Sequence, residues 1–190
     1  MAPARSVTWR RIHIGMRLFT GFPVGNTFIQ AASELVLTNG IINGLRWVPG
    51  VNLHVTACFI GEVSPDKLSG LKTAAGNICA DFHPLTLNLK EICIWPHRKP
   101  YMVWALFEEH KDFTAIYRQL EHTLTGAAGG GVVKPHVTLA RFKDYIDICQ
   151  IQLTGTTFPE NILCDRLILF ESRLAQEGPG YFPLAEYPLR

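Results

Sequence analysis

Two histidines in this 190-residue chain stand in nearly the same local sequence: "NLHVTACFIGEV" at 52–63 carries His54, and "KPHVTLARFKD" at 134–144 carries His136. Side chains of a strand alternate between two faces, so His54 and Thr56 project to one side, while Leu53, Val55 and Ala57 project to the other. The same parity pairs His136 with Thr138 against Val137 and Leu139. Each run therefore offers an imidazole and a hydroxyl together. Two facing imidazoles suit a reaction in which one atom gains a proton while another loses one, because a histidine near pKa 6.5 takes either role at neutral pH. The threonines are placed to donate hydrogen bonds to an oxyanion. In-line displacement at a phosphodiester needs these parts: a base at the entering oxygen, an acid at the leaving oxygen and donors on the non-bridging oxygens. A single His-x-Thr is usually structural, and short motifs match by chance. The repetition carries the weight. No metal is called for, because neither motif holds an Asp or Glu and two histidines lack the third protein ligand of a catalytic zinc site.

The elements that must hold these residues can be read from periodicity and turn chemistry. "MRLFTGF" from Met16 predicts a strand, followed by a helix near 26–38 capped by Asn26, with Phe28, Ala32, Leu35 and Val36 as its apolar stripe and Asn39-Gly40 as its end. "LRWV" predicts a short strand, Pro49-Gly50 a turn, and 52–63 a long strand. Ser64-Pro65 opens a second helix with the stripe Leu68, Leu71, Ala75 and Ile78. "LTLNLKEICIW" and "YMVWALFEE" predict strands joined by the basic turn "PHRKP" at 96–100. A third helix is capped by Asp112, buries Phe113, Ile116, Tyr117, Leu120 and Leu124, and ends at Gly126. The glycine-rich "GAAGGG" then leads into the second histidine run. A short helix at 144–152, an apolar strand "NILCDRLILFESRL", a Gly-Pro-Gly turn and a last strand near "YFPLAEYPL" complete the chain. Strand, helix, loop and His-Val-Thr strand recur in both halves, which predicts an internal duplication. The expected fold is α+β and bilobal: two lobes related by a pseudo-two-fold axis, with antiparallel sheets flanked by helices.

Composition restricts the function further. With 47% apolar and 11% aromatic residues the chain can fill a sizeable core. Residues 16–190 read as one domain, and 1–15 as a flexible N-terminal leader. No apolar run approaches membrane-span length, so the expected location is the cytoplasm, with no membrane partner. The net charge of +2 comes from that leader, where Arg5, Arg10 and Arg11 stand without an acid. The remainder carries no basic excess, which argues against a protein that coats nucleic acid through many phosphate contacts. Five cysteines, odd in number and without a C-x-x-C pair, predict free thiols.

The paired motifs resemble those of the two-histidine (2H) phosphoesterase superfamily, and more narrowly the bacterial and archaeal RNA 2′,3′-cyclic phosphodiesterases historically called 2′-5′ RNA ligases. The resemblance runs from Met16 to the end through "MRLFTGFP", "LRWVPGVNLHVTACFIGEV", "KPHVTLARF" and "ESRLAQEGPGYFPLAEYPL". It implies a bilobal fold with the site between the lobes, His54 as proton donor, His136 as proton acceptor, and Thr56 and Thr138 holding the phosphate. It also implies RNA ends or cyclic nucleotides as substrate, with no cofactor and no obligatory protein partner. The family usually has a bulky aliphatic residue where Ala57 stands, which predicts local repacking.

Other residues carry less. Arg141 falls on the wrong face of a regular strand, yet lies near its end, where a bulge could turn it to a phosphate. Lys134 and the turn His97, Arg98, Lys99 read first as solvated charge, with RNA-backbone contact as the minority reading. Tyr181, in the "EGPGYF" turn, is the candidate for base stacking, whereas Phe59 and Phe142 have core parity. His13, His83, His110 and His122 have no paired context. The leading function is hydrolysis of a 2′,3′-cyclic phosphate to a 2′-phosphomonoester. The same chemistry run backwards onto a 5′-hydroxyl would make a 2′-5′ ligase. A non-catalytic RNA-end binder would more naturally use Arg or Lys, which stay charged at pH 7.

Overall fold

The apolar run Met16–Pro23 forms strand β1, and the chain turns at Gly25 into helix α1 (Asn26–Asn39). These belong to a computed structural model that describes residues 15–128, 132–143, 146–175 and 178–190. The leader expected at 1–15 therefore lies outside the described residues, apart from Gly15. Gly25 is the N-cap of α1, and Asn26 is already helical and makes no cap bond. The buried stripe is Phe28, Ala31, Ala32 and Leu35, with Val36 only half-buried. Gly40 ends the helix at φ 60°, a region closed to most side chains.

Strand β2 (Leu45–Trp47) and a 3₁₀ turn at Gly50–Asn52 lead into β3 (His54–Val63), which carries the first histidine motif. Pro65 begins a second 3₁₀ turn, and helix α2 (Leu68–Cys79) follows, burying Ala75, Ile78 and Cys79 while Leu68 and Leu71 stay half-exposed. Strands β4 (Leu85–Trp95) and β5 (Met102–Phe107) form a hairpin whose second strand is buried on both faces. Helix α3 (Lys111–Thr125) buries Phe113, Ile116, Leu120 and Leu124 of the expected stripe, leaves Tyr117 half-buried with its hydroxyl donating to Glu121, and ends at left-handed Gly126. Its cap is His110 and not Asp112: His110 Nδ1 accepts from the backbone N–H groups of Asp112 and Phe113. An unprotonated imidazole nitrogen can do what Asp, Asn, Ser and Thr commonly do at this position.

Strand β6 (His136–Phe142) carries the second motif. The helix expected at 144–152 is only a 3₁₀ turn at Ile148–Gln150, with 144–145 outside the described residues. The expected long strand breaks at Asp165 into β7 (Asn161–Cys164) and β8 (Arg166–Ala175), and β9 (Gly178–Pro188) pairs back along β8.

The described residues form one antiparallel sheet in the order β7-β4-β5-β6-β3-β1-β8-β9, with β2 added on β6. The order is palindromic about the β6/β3 junction, where β5·β6 in one half answers β1·β3 in the other. That is the topology of the expected duplication. Strands β3 and β6 themselves meet at a single registered pair, Val55 with Val137. The helices interlock the two halves from behind. Phe28 of α1 packs toward Phe107 of β5, with centroids 6.3 Å apart, while Phe113 of α3 packs toward Phe22 of β1 at 6.0 Å. Each helix thus covers the opposite half, and these four phenylalanines are almost completely buried, contributing roughly 2–3 kcal/mol apiece. The molecule is bilobal on its cleft side and shares one apolar core on its helix side. Among the described residues no helix is long and apolar enough to cross a membrane.

Candidate active site

His54 and His136 open β3 and β6, the two strands that meet at the centre of the sheet. Because Val55 pairs with Val137 in antiparallel register, His54 lies across from Thr138, and Thr56 lies across from His136. Val55 and Val137 point the other way and are fully buried. All four candidate side chains line one cavity of about 580 Å³, as the alternation predicts.

The two imidazoles are held alike. His54 Nδ1–H donates to the Asn52 carbonyl at 2.7 Å, and His136 Nδ1–H donates to the Lys134 carbonyl at 2.8 Å. In both cases the acceptor is the residue two positions earlier. Fixing Nδ1 as the donor leaves Nε2 as the exchangeable site. Thr56 Oγ1 lies 3.1 Å from His54 Nε2 and can donate to it when the ring is neutral.

The surroundings of the rings differ. His136 lies flat on the Trp104 indole, with centroids 3.7 Å apart and planes inclined by 19°. His54 meets aromatics at other angles: Phe19 tilted at 4.9 Å and Tyr181 edge-on at 5.3 Å. Beneath it lies Gly21 of β1. A Cβ at that position would come within 2.9 Å of His54 Cδ2 and 3.0 Å of the Val55 carbonyl oxygen. Gly21→Ala must therefore push the imidazole out of place. The expected result is a fall in kcat of about tenfold or more with KM little changed, since misplacing a reacting group by about 1 Å can cost 10²-fold. An unchanged kcat in steady-state assays would show that the ring is not held against Gly21.

Burial pushes His54 down to about 4, opposed by the Asn52 carbonyl and assisted by the charges of His136 and Arg141. His136 is lowered as well, mainly by burial, with the Lys134 carbonyl opposing and Arg141 assisting. The free cleft thus favours two neutral imidazoles near pH 7.

Arg141 reaches the cavity because β6 does not stay regular. Trp104 pairs with Thr138 and Val103 with Ala140, so Leu139 is an extra residue that turns Arg141 to the histidine face. Strand β3 does the same at Ala57: Thr20 pairs with Cys58 and Gly21 with Thr56. The residue after each threonine is a bulge, and both bulge residues are buried. In β3 the matching position is Phe59, which lines the cavity and is 68% exposed. The expectation that Phe59 belongs to the core is therefore wrong, and the bulge is the reason. Phe142 does pack against the core. Tyr181 lies in β9, paired with Ser172, and not in a turn, but it does line the cavity. Cys58, beside Ala57, is buried, and its thiol is pushed up to about 12 by desolvation and then by Glu121. It is an inert packing residue. Of the other histidines, His110 caps α3, His83 meets the backbone carbonyl of Arg190, His122 is exposed, and His13 lies outside the described residues.

A model of the family described as LigT like Phosphoesterase matches residues 33–104. An RNA 2′,3′-cyclic phosphodiesterase of Thermotoga maritima is 26% identical over 178 residues, covering 90% of this chain and 94% of the relative. The Bacillus subtilis protein of the same name is 24% identical, covering 90% and 95%. The chain is thus similar to LigT-like phosphoesterases over residues 33–104, and to RNA 2′,3′-cyclic phosphodiesterases over most of its length. Solved structures share its fold: E. coli LigT in apo form has a TM-score of 0.75 at 23% identity, and a Thermus thermophilus protein has 0.77 at 24%, each covering 92% of the chain and 98% of the neighbour. Sequence reasoning passed over Trp104, Gly21 and Asn52. Trp104 gave no separate signal, because every residue of its strand is apolar and its place beside the second motif comes from the β5–β6 pairing.

Proposed function

We propose that this protein hydrolyses RNA 2′,3′-cyclic phosphate ends to 2′-phosphomonoesters by paired histidine acid–base catalysis. The observation that carries the reading is the matched pair of imidazoles, each anchored through Nδ1 and lining one cavity with two threonine hydroxyls. The relatives named RNA 2′,3′-cyclic phosphodiesterase support the substrate. In the first assignment of roles, His136 Nε2 takes a proton from water as the new P–O bond forms. His54 Nε2 gives its proton to the 3′-oxygen as the P–O3′ bond breaks, and the phosphate stays on the 2′-oxygen. Thr56, Thr138 and Arg141 neutralise the charge that builds on the non-bridging oxygens. The incoming phosphodiester anion itself raises both histidines and so supplies the charge that protonates the acid.

One observation favours the reverse assignment. His54 is depressed to about 4, as suits a base, while His136 lies on an indole face that stabilises an imidazolium. A p-nitrophenyl phosphodiester separates the two, because its leaving group needs no proton. The variant lacking the acid keeps most of its rate on that substrate, and the variant lacking the base does not. The overall reading is tested with a 2′,3′-cyclic-phosphate oligonucleotide in chelator, identifying the product end. A 2′-phosphate is expected. A 3′-phosphate, a mixture of isomers, or turnover that a divalent metal must restore would overturn it.

A further inference from the structure

The aromatic contact under His136 does not stop at Trp104. Trp95 of β4 stacks on Trp104 in turn, with centroids 5.0 Å apart and planes 16° from parallel, and His97 meets Trp95 edge-on at 5.2 Å. A ladder of rings therefore runs from the candidate catalytic imidazole to the β4–β5 turn. Lys134, whose carbonyl anchors His136, sends its Nζ to within 5.2 Å of the Trp95 centroid. The turn at the far end is His97, Arg98 and Lys99, all exposed. Among the described residues neither Arg98, Lys99 nor Lys134 makes a salt bridge, whereas Arg166 and Arg173 are paired with carboxylates.

On the other side of the cleft the rim exposes Phe59 at 68% and Leu174 at 77%, with Arg17 and Ser172 also lining the cavity there. An RNA strand whose last phosphate sits between the histidines must leave the cleft by one wall. A polyanion is drawn more strongly to the wall that groups three unpaired cations than to one that exposes two large apolar side chains. We propose that the β4–β5 turn, through Arg98 and Lys99 with Lys134 between them and the histidine, binds backbone phosphates upstream of the terminal nucleotide. The substrate class is then an oligoribonucleotide end in preference to a cyclic mononucleotide. This rests on the function proposed above.

The test compares a nucleoside 2′,3′-cyclic phosphate with a labelled tetranucleotide ending in the same group, by kcat/KM and, for the tetranucleotide, by fluorescence anisotropy. The wild type is expected to prefer the tetranucleotide by roughly tenfold or more at low salt. R98A/K99A loses most of that preference while its mononucleotide rate stays within about twofold, and R98K/K99R restores it. For each phosphate contact removed, the slope of log affinity against log salt falls by about 0.7. Equal use of both substrates by the wild type, or an undiminished preference in R98A/K99A, overturns the subsite. If the wild type hydrolyses neither substrate, the proposed function falls instead. Anisotropy then still decides the subsite: tetranucleotide binding that R98A/K99A weakens supports it, and equal binding overturns it.

Discussion

His54→Ala and His136→Ala each lower the turnover of a 2′,3′-cyclic phosphate by about 10²–10⁴, the usual worth of a positioned general acid or base. Neither substitution should unfold the protein, because both rings face the cavity and the strands beneath them are held by the buried Val55–Val137 pair. The double variant should fall well short of the product of the two losses, since residues that act as a unit lose their joint contribution once. Steady-state rates on variants whose thermal midpoint matches the wild type make the measurement. A folded single variant that keeps more than half of the wild-type rate would remove that histidine from the reaction.

The pH dependence should show two separate signatures. In the first, kcat/KM of the free enzyme follows a bell whose maximum lies below pH 6.5, because burial lowers both imidazoles and takes His54 to about 4. Its limbs belong to the coupled pair and not to either ring alone. The kcat profile should lie on the alkaline side of it, since a bound phosphodiester anion favours both imidazoliums. The second signature is in stability. Between about pH 6.5 and 4 the unfolded chain protonates His54 while the folded chain does not, so stability rises with pH across that window and is lost as the pH falls through it. The loss from this residue is at most about 3 kcal/mol, and the half-buried side chain makes the lower part of that range the realistic one. Urea titrations from pH 7 to 4 measure it, and His54→Ala should flatten the curve. A kcat/KM maximum above pH 7, or an unchanged acid slope in the variant, would show that burial does not set these protonation states.

The parts of the site that were legible in the sequence are those governed by alternation. His54, Thr56, His136 and Thr138 share a cavity because a strand has period two, and the burial of Phe113, Ile116, Leu120 and Leu124 in α3 follows from 3.6-residue spacing. What alternation cannot foresee is the insertion of one residue. Ala57 and Leu139 look like ordinary apolar strand residues, but each is a bulge, so Phe59 and Arg141 exchange the faces that counting assigns them. The cap of α3 departs from the expected one for a different reason. Asp112 suits that position by type, but His110 fills it by geometry, and a histidine nitrogen is not a usual capping signal. Gly-Pro-Gly before Tyr181 predicts a turn, whereas ten registered pairs hold β8 and β9 together through that stretch. Long-range pairing overrode the local turn signal.

The palindromic sheet also bears on how one cleft can hold two unlike rings. A dimer of identical halves joined at β3 and β6 would have to place the same residue at both members of every pair. Its two imidazoles would then titrate together, and a cyclic phosphate could enter in either of two equal orientations. Within a single chain the members are free to differ. Gly21 lies under one ring where Trp104 lies under the other, and Phe59 stands where the second half has Arg141. Covalent fusion thus breaks a degeneracy: it gives the cleft a polarity, and with it one direction in which a nucleic acid end can be threaded.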